Sequence, residues 1–312
     1  MFLEILLKVI GIFVLVLMGV AAGKTYIIPK QAIPAFNGFL LNFAIPCLIL
    51  SFMQVDDMSN ETIKSMLGAF LAFAIATVAM GLISFILIKP MKLAEEDKGI
   101  FRLQVAFTNS GFMAIPLVTV IFGKDVLFLT VMNMTVFNLL MYSFGIVLIT
   151  YEKGKPLFDK RMLKNLINVP IIAALVGVVI FLTGFHFPDF INMGIDLMAD
   201  TVSPLAMFIV GVNLAYSQFG KLFTKKNLFF SFISLVLVPA ATFGICELLP
   251  ISSDAFVTVV FAMAMPSPAI APVLAARYGK DQIKASETVA STTIFSLITL
   301  PICAYMLLKI FM

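Results

Sequence analysis

Three hydrogen-bonding side chains, Thr108, Asn109 and Ser110, stand together, with Gly111 directly after them and Pro116 a short way on. They lie inside an apolar stretch, 103–123, that contains no Asp, Glu, Lys or Arg. With no acid or histidine in that stretch, the chemistry on offer is recognition by hydrogen bonding. Proline has no N–H, so Pro116 frees the carbonyl one turn back and kinks or breaks a helix. At membrane depth such a break is tolerated only where the backbone is buried in protein or lines a cavity. A second stretch, 255–276, holds Pro266, Ser267, Pro268 and Pro272 and is equally free of charge. Each stretch is expected to form two half-helices joined by an extended piece. The free N–H groups and positive dipole ends at half-helix N-termini suit an anion. No lysine or arginine falls at the centre of a stretch, so an anion held there depends on dipoles, amides and hydroxyls.

The elements that must position these residues are membrane spans. Hydrophobic residues make up 61% of the chain and charged residues 12%, against about 25% charged in a soluble domain. Charge-free or nearly charge-free runs occur at 9–23, 31–55, 65–88, 103–123, 126–151, 165–188, 201–220, 227–246, 255–276 and 288–308. All but the first approach the roughly 20 residues that cross hydrocarbon. The first run has Glu4 and no lysine cluster ahead of its apolar core, so a retained span is expected rather than a signal peptide. Cys47, Cys246 and Cys303 read as small buried hydrophobes. The sequence lacks metal-ligand spacing and has a single histidine, His186, so neither a metal nor a cofactor is expected. The basic residues sit in short loops between apolar runs, which speaks for orientation and against nucleic-acid binding.

With ten spans, 17 of the 21 lysines and arginines fall on one side of the membrane and four (Lys8, Lys64, Lys124 and Lys309) on the other. The crowded side is cytoplasmic by the positive-inside rule, and both termini face out. The chain also echoes itself. Pro116 and Pro272 are 156 residues apart, as are Gly123-Lys124-Asp125 and Gly279-Lys280-Asp281, in a chain of 312. Pro46 and Pro204 form a weaker echo. Five spans per half is an odd number, so the halves, 1–156 and 157–312, have opposite orientation. The expected fold is an all-α integral membrane protein of ten transmembrane helices, built as two inverted five-helix repeats with helices 4 and 9 broken and crossing. Paired breaks in inverted repeats mark secondary transporters, with the site at the midplane.

The Asn-Ser-Gly-Phe-Met-Ala-Ile-Pro-Leu run at 109–117 resembles the auxin efflux carrier family. So do Met265-Pro266 through Pro272 to Arg277-Tyr278-Gly279, and Ala290-Ser291-Thr292 followed by Leu300-Pro301-Ile302. The resemblance covers the whole chain. It implies a fold similar to bile acid/sodium symporters, with a scaffold of spans 1, 2, 6 and 7 and a transport domain of spans 3–5 and 8–10. It further implies crossover prolines at Pro116 and Pro272, a substrate-contacting asparagine at Asn109, and elevator-type movement. Plant members carry a long central loop; the short basic loop at 151–164 is similar to bacterial members, which carry organic acids such as malate and malonate.

Several residues keep two readings. Asn109 is either interhelical glue or a substrate contact, and the adjacent break and the resemblance favour contact. Thr108 and Ser110 either bond back to their own helix or face the site, and Ser267 is a further candidate donor. Asn138 and Asn133 in span 5, with Ser291, Thr292 and Thr293 in span 10, either line the site or tie helices together. Asp200 is an ion-coupling candidate if it lies inside the membrane; the alternative places it at the outer interface, with span 7 starting near Thr201. Glu287 is expected to pair with Lys284, three residues away, and Gln104 receives no role. The expected function is secondary transport of a small organic anion, a mono- or dicarboxylate, across the inner membrane, with H+ or Na+ as the coupling ion. A homodimer through the scaffold spans stays open. A cation/proton antiporter is the alternative, weakened by the absence of acids at 108–116 and 265–272, and a channel is the other. No His-Glu-x-x-His, paired Asp or Gly-x-Ser-x-Gly pattern suggests an enzyme.

Overall fold

Apolar residues facing outward as well as inward give the helices of this chain their form. In the computed structural model, which describes residues 2–54, 59–123, 126–151, 169–217 and 219–311, Leu3, Leu7, Ile10, Val14 and Leu17 form an exposed stripe on the first helix. A helix hydrophobic all round is one surrounded by hydrocarbon or protein. The helices are α1 (Phe2–Lys24), α2 (Lys30–Phe52), α3 (Asn60–Met91), α4 (Glu95–Ala106), α5 (Ala114–Ile121), α6 (Leu127–Thr150), α7 (Val169–Thr183), α8 (Asp189–Ala215), α9 (Lys225–Glu247), α10 (Ser253–Met263), α11 (Ala271–Arg277) and α12 (Gln282–Phe311). Seven of them (α1, α2, α3, α6, α8, α9 and α12) are long and apolar enough to cross a membrane, and no strand occurs among the described residues. Hydroxyl caps start three helices. Ser59, Thr224 and Ser252 accept from the backbone N–H of Thr62, Asn227 and Ala255, satisfying amides that a helix start leaves open.

Helix α1 packs most extensively on α8. The seam has no side chains at its centre. A Cβ on Gly19 would lie 2.0 Å from the Phe208 carbonyl oxygen, and one on Gly211 would lie 1.9 Å from that of Val16. Glycine there lets two backbones touch, as small residues do at membrane helix interfaces. Helix α2 packs on α7 and on the first half of α8, while α3 packs on α4, α6 and α10.

The observed helices depart from the expected spans in three places. The helix of span 7 begins at Asp189, not near Thr201, because residues 189–200 form a helical segment that continues through a one-residue break at Thr201. The charge-free criterion truncated it at Asp200. The charged connection 89–102 is mostly helix, since α4 starts at Glu95 with three acids in its first turn, where they favour the positive helix end. Pro116 and Pro272 do not sit within the breaks, whereas Pro266 and Pro268 do. The gaps are 107–113 and 264–270, seven residues each, and Pro116 and Pro272 lie in the first turns of α5 and α11. A proline there gives up an N–H that would be unpaired anyway. Lys124, Asp125 and the basic residues of 152–164 lie outside the described residues.

Candidate functional site

The gap after α4 begins with extended backbone at Phe107, and it runs directly into the gap after α10. The Asn109 N–H donates to the Pro266 carbonyl at 2.6 Å. The Thr108 hydroxyl donates to the Ala262 carbonyl at 2.7 Å, so it bonds the other broken pair of helices rather than its own. On the far side, the Ser267 N–H donates to the Thr292 hydroxyl at 3.1 Å. These bonds meet backbone groups that the missing helical turns leave unpaired.

The side chains of this crossing divide into used and unused. The hydroxyls of Thr108 and Thr292 are engaged in these bonds. Ser110 and Ser267 are fully buried, with hydroxyls that have no partner among the described residues. Asn109 is 3% exposed, and its amide makes no hydrogen bond among the described residues. Pro116 is buried among the apolar residues of α5 and lines neither cavity described below, so its part is to start the half-helix.

Two cavities meet at Asn109. The larger, about 240 Å³, is bounded by α2, α8, α11 and α12, and Asn109, Pro272 and Thr293 line it. The smaller, about 20 Å³, lies between α2, α6 and both gaps, and is lined by Asn109, Asn138, Pro268 and apolar neighbours. Asn138 donates to the Met134 carbonyl one turn back at 3.0 Å. Pro266 and Ser267 stand behind this lining, shaping the gap. The structure thus brings Asn109, Asn138 and Pro272 to cavity walls, with Thr108, Ser110, Pro266 and Ser267 packed around them. Asn133 is buried beside this region in sequence, with both amide atoms unpartnered. The expected anion-binding helix ends are unequal: α5 has eight residues, whereas α11 has seven and its first N–H already donates to the Pro268 carbonyl.

Asp200 is elsewhere. It is exposed on α8 beside Leu15, Leu197 and Phe208 and lines neither cavity at the crossing. Tyr216, at the other end of α8, donates its hydroxyl to Ile28 at 2.6 Å. Sixteen residues of helix separate it from Asp200, about 24 Å at 1.5 Å per residue, against about 30 Å of hydrocarbon.

Lys284 does not pair with Glu287. Its ammonium lies 2.8 and 3.0 Å from the two carboxylate oxygens of Asp97, joining α12 to α4, and Glu287 instead has Lys221 at 3.7 Å. Gln104, given no role from the sequence, is fully buried and bonds α12 at both ends of its amide. It donates to the Ala285 carbonyl at 3.1 Å and accepts from Thr288 at 2.6 Å. Sequence reasoning passed over Asn37 and Asn213 and placed neither Lys30 nor Glu287 at a site; all four line the larger cavity. Asn37 and Asn213 carry the signal that singled out Asn109, an asparagine inside a nearly charge-free run. No group of three or more metal-ligating side chains occurs among the described residues.

A many-helix membrane protein with a polar pocket at two touching helix gaps has the makings of a transporter. The family comparison makes that assignment: the model described as "Membrane transport protein" matches residues 4–304. The chain belongs to this family, that of the auxin efflux carriers. It is 25% identical over 300 residues to an uncharacterized transporter of Methanothermobacter thermautotrophicus, covering 96% of this chain and 97% of the relative. It is 24% identical to the uncharacterized transporter MJ1031 of Methanocaldococcus jannaschii, covering 96% and 98% of the two chains. With the uncharacterized transporter YfdV of Escherichia coli K12 the identity is 22%, covering 94% and 95%.

Proposed function

We propose that this protein is a secondary active carrier of a small organic anion, a mono- or dicarboxylate. The anion's carboxylate is held at the crossing of two broken spans. The observation that carries this reading is Asn109: a 3% exposed residue, its amide making no hydrogen bond among the described residues, on the wall between two cavities at the touching gaps. That amide is free to donate to a substrate carboxylate.

In this reading α4 with α5 is span 4, and α10 with α11 is span 9, giving ten spans in two inverted halves. Equal gaps of seven residues support the pairing. So do Gly123 and Gly279, which end the two second half-helices in the left-handed region, at φ 96° and 67°. Spans 1, 2, 6 and 7 form the scaffold, supported by the α1–α8 seam and the packing of α2 on α7 and α8. Spans 3–5 and 8–10 form the moving part, tied together by the Asp97–Lys284 and Gln104–Thr288 contacts. The larger cavity lies between the two parts, as an elevator-type mechanism needs. The positive-inside count makes its mouth, with Lys30, cytoplasmic, and the protein resides in the inner membrane with both termini outside. The coupling ion, H+ or Na+, is assigned to no residue, because Asp200 faces away from the crossing.

Uptake into proteoliposomes tests this with a panel of radiolabelled carboxylates, with and without sodium and pH gradients. Gradient-driven uptake of at least one carboxylate, abolished in Asn109→Ala, is expected. Uptake of none, or steady currents of channel size in a planar bilayer, overturns it.

A further inference from the structure

Arg102 carries a charge that the fold does not balance. It stands on α4 about 10 Å from the start of the helix at Glu95. It is 7% exposed and forms no ion pair among the described residues, although arginine is almost never so buried unless paired. Glu95, on the same helix, is engaged by Lys98. What holds the guanidinium is aromatic. Its Cζ lies 4.3 Å from the centre of the Phe85 ring on α3 and 5.2 Å from that of Tyr151, directly after α6. The two rings meet edge to face, with centres 5.1 Å apart. Packing of this kind uses the flat face of a guanidinium and leaves its N–H edge for an anion. Among the nitrogens on that edge, only Nη1 has an acceptor, the Tyr151 carbonyl at 3.4 Å. Nε is enclosed without a partner, whereas Nη2 is unbonded among the described residues and is not enclosed.

The surroundings select the anion. Leu82, Phe85, Ile86 and Lys89 follow one another at the spacing of a single helix face on α3. Leu82 and Ile86 are exposed, as residues that meet lipid tails are, and Lys89 is exposed one turn beyond them. Lys89 also forms no ion pair among the described residues. An apolar strip thus leads along α3 to two cations, Arg102 and Lys89, at one end of the helix. The positive-inside count makes that end cytoplasmic, the side on which anionic headgroups attract basic side chains. We propose that Arg102 and Lys89 hold the phosphate of an anionic phospholipid, whose acyl chain lies along Leu82 and Ile86. A free phosphate would satisfy the cations and leave the strip unused. Arg102 supplies a charge-assisted bond through Nη2, and Lys89 supplies a second charge. The site is separate from the crossing, since neither residue lines a cavity there. It depends on the membrane spans and not on which solute is carried.

The test titrates delipidated full-length protein in neutral detergent with phosphatidylglycerol, phosphatidylcholine or free glycerol 3-phosphate. Native mass spectrometry reads the bound fraction for wild type, Arg102→Gln, Arg102→Lys, Lys89→Gln and Lys225→Gln. Wild type is expected to bind phosphatidylglycerol at least about tenfold more tightly than phosphatidylcholine, whose choline cancels the phosphate charge. Lys89→Gln should weaken phosphatidylglycerol about fivefold. Arg102→Gln and Arg102→Lys should each weaken it more than about tenfold, because lysine keeps the charge and loses the flat face and the fork of donors. Lys225→Gln, which changes a cation at the start of α9, should alter it less than about twofold. Should the Arg102 variants fail to fold, the contrast between Lys89→Gln and Lys225→Gln decides. Equal affinity for the two lipids overturns the proposal, as do equal losses in Lys89→Gln and Lys225→Gln, or folded Arg102→Gln protein that binds like wild type. Glycerol 3-phosphate bound as tightly as phosphatidylglycerol would make the ligand a soluble phosphate and overturn the lipid site.

Discussion

The backbone N–H of Asn109 donates to the carbonyl of Pro266 at 2.6 Å, and this bond joins the two helix gaps directly. It fixes the backbone of Asn109 while leaving the side-chain amide unbonded. Position and binding capacity are thereby carried by different parts of one residue.

Asn109→Ala should separate the two. The backbone bond survives the substitution and no side-chain bond is lost. Thermal unfolding in detergent should therefore shift by no more than a few degrees, while carboxylate uptake is lost. An unaltered substrate KM would detach Asn109 from the site.

Thr108→Val should behave in the opposite way. It removes the hydroxyl that donates to the Ala262 carbonyl at 2.7 Å. A single interhelical bond of this kind contributes about 1 kcal/mol. A lowered unfolding temperature with an unchanged order of preference among carboxylates is expected. A changed preference would place Thr108 at the substrate.

Gly211→Ala should disrupt folding far more than Gly11→Ala. The added carbon at 211 would lie 1.9 Å from the Val16 oxygen, whereas at Gly11 nothing stands within 4 Å. Overpacking typically costs about 1–3 kcal/mol, and here it meets a backbone that cannot turn aside. Yield of monodisperse protein and its unfolding temperature read this directly, and equal behaviour of the two variants would refute the seam.

Lys284→Met should destabilise the protein by about 2 kcal/mol, since it strips a bidentate cation from Asp97. The Asp97 side chain is only 8% exposed. Combining the change with Asp97→Leu should restore much of the loss, because the buried charge is then gone. A double variant as unstable as the sum of the two single ones would mean that the residues are not coupled.

The two gaps were legible because their causes are local: a polar triad in a charge-free run, and prolines without an N–H. The pairing of Gly123 with Gly279 was legible as a repeated tripeptide, and both adopt a left-handed conformation. What the chain does not reveal locally is partnership. Helical spacing pointed Lys284 at Glu287, but Asp97, far away in sequence, has the better geometry. Gln104 was silent because its two partners, Ala285 and Thr288, lie on another helix. Span 7 was cut short at Asp200 because a charge criterion finds where hydrocarbon is unbroken, not where hydrogen bonding stops. Asn37 and Asn213 differ from glue only in lacking a partner, which sequence does not record.

The unequal cavities on the two sides of Asn109 have a consequence for chemical access. About 20 Å³ admits a water and no organic acid. About 240 Å³ admits both. In this conformation a bulky, membrane-impermeant thiol reagent would find Asn109→Cys from one face of the bilayer and be shut out from the other. Labelling that switches faces when a transported acid is added would record the protein turning over, one molecule at a time.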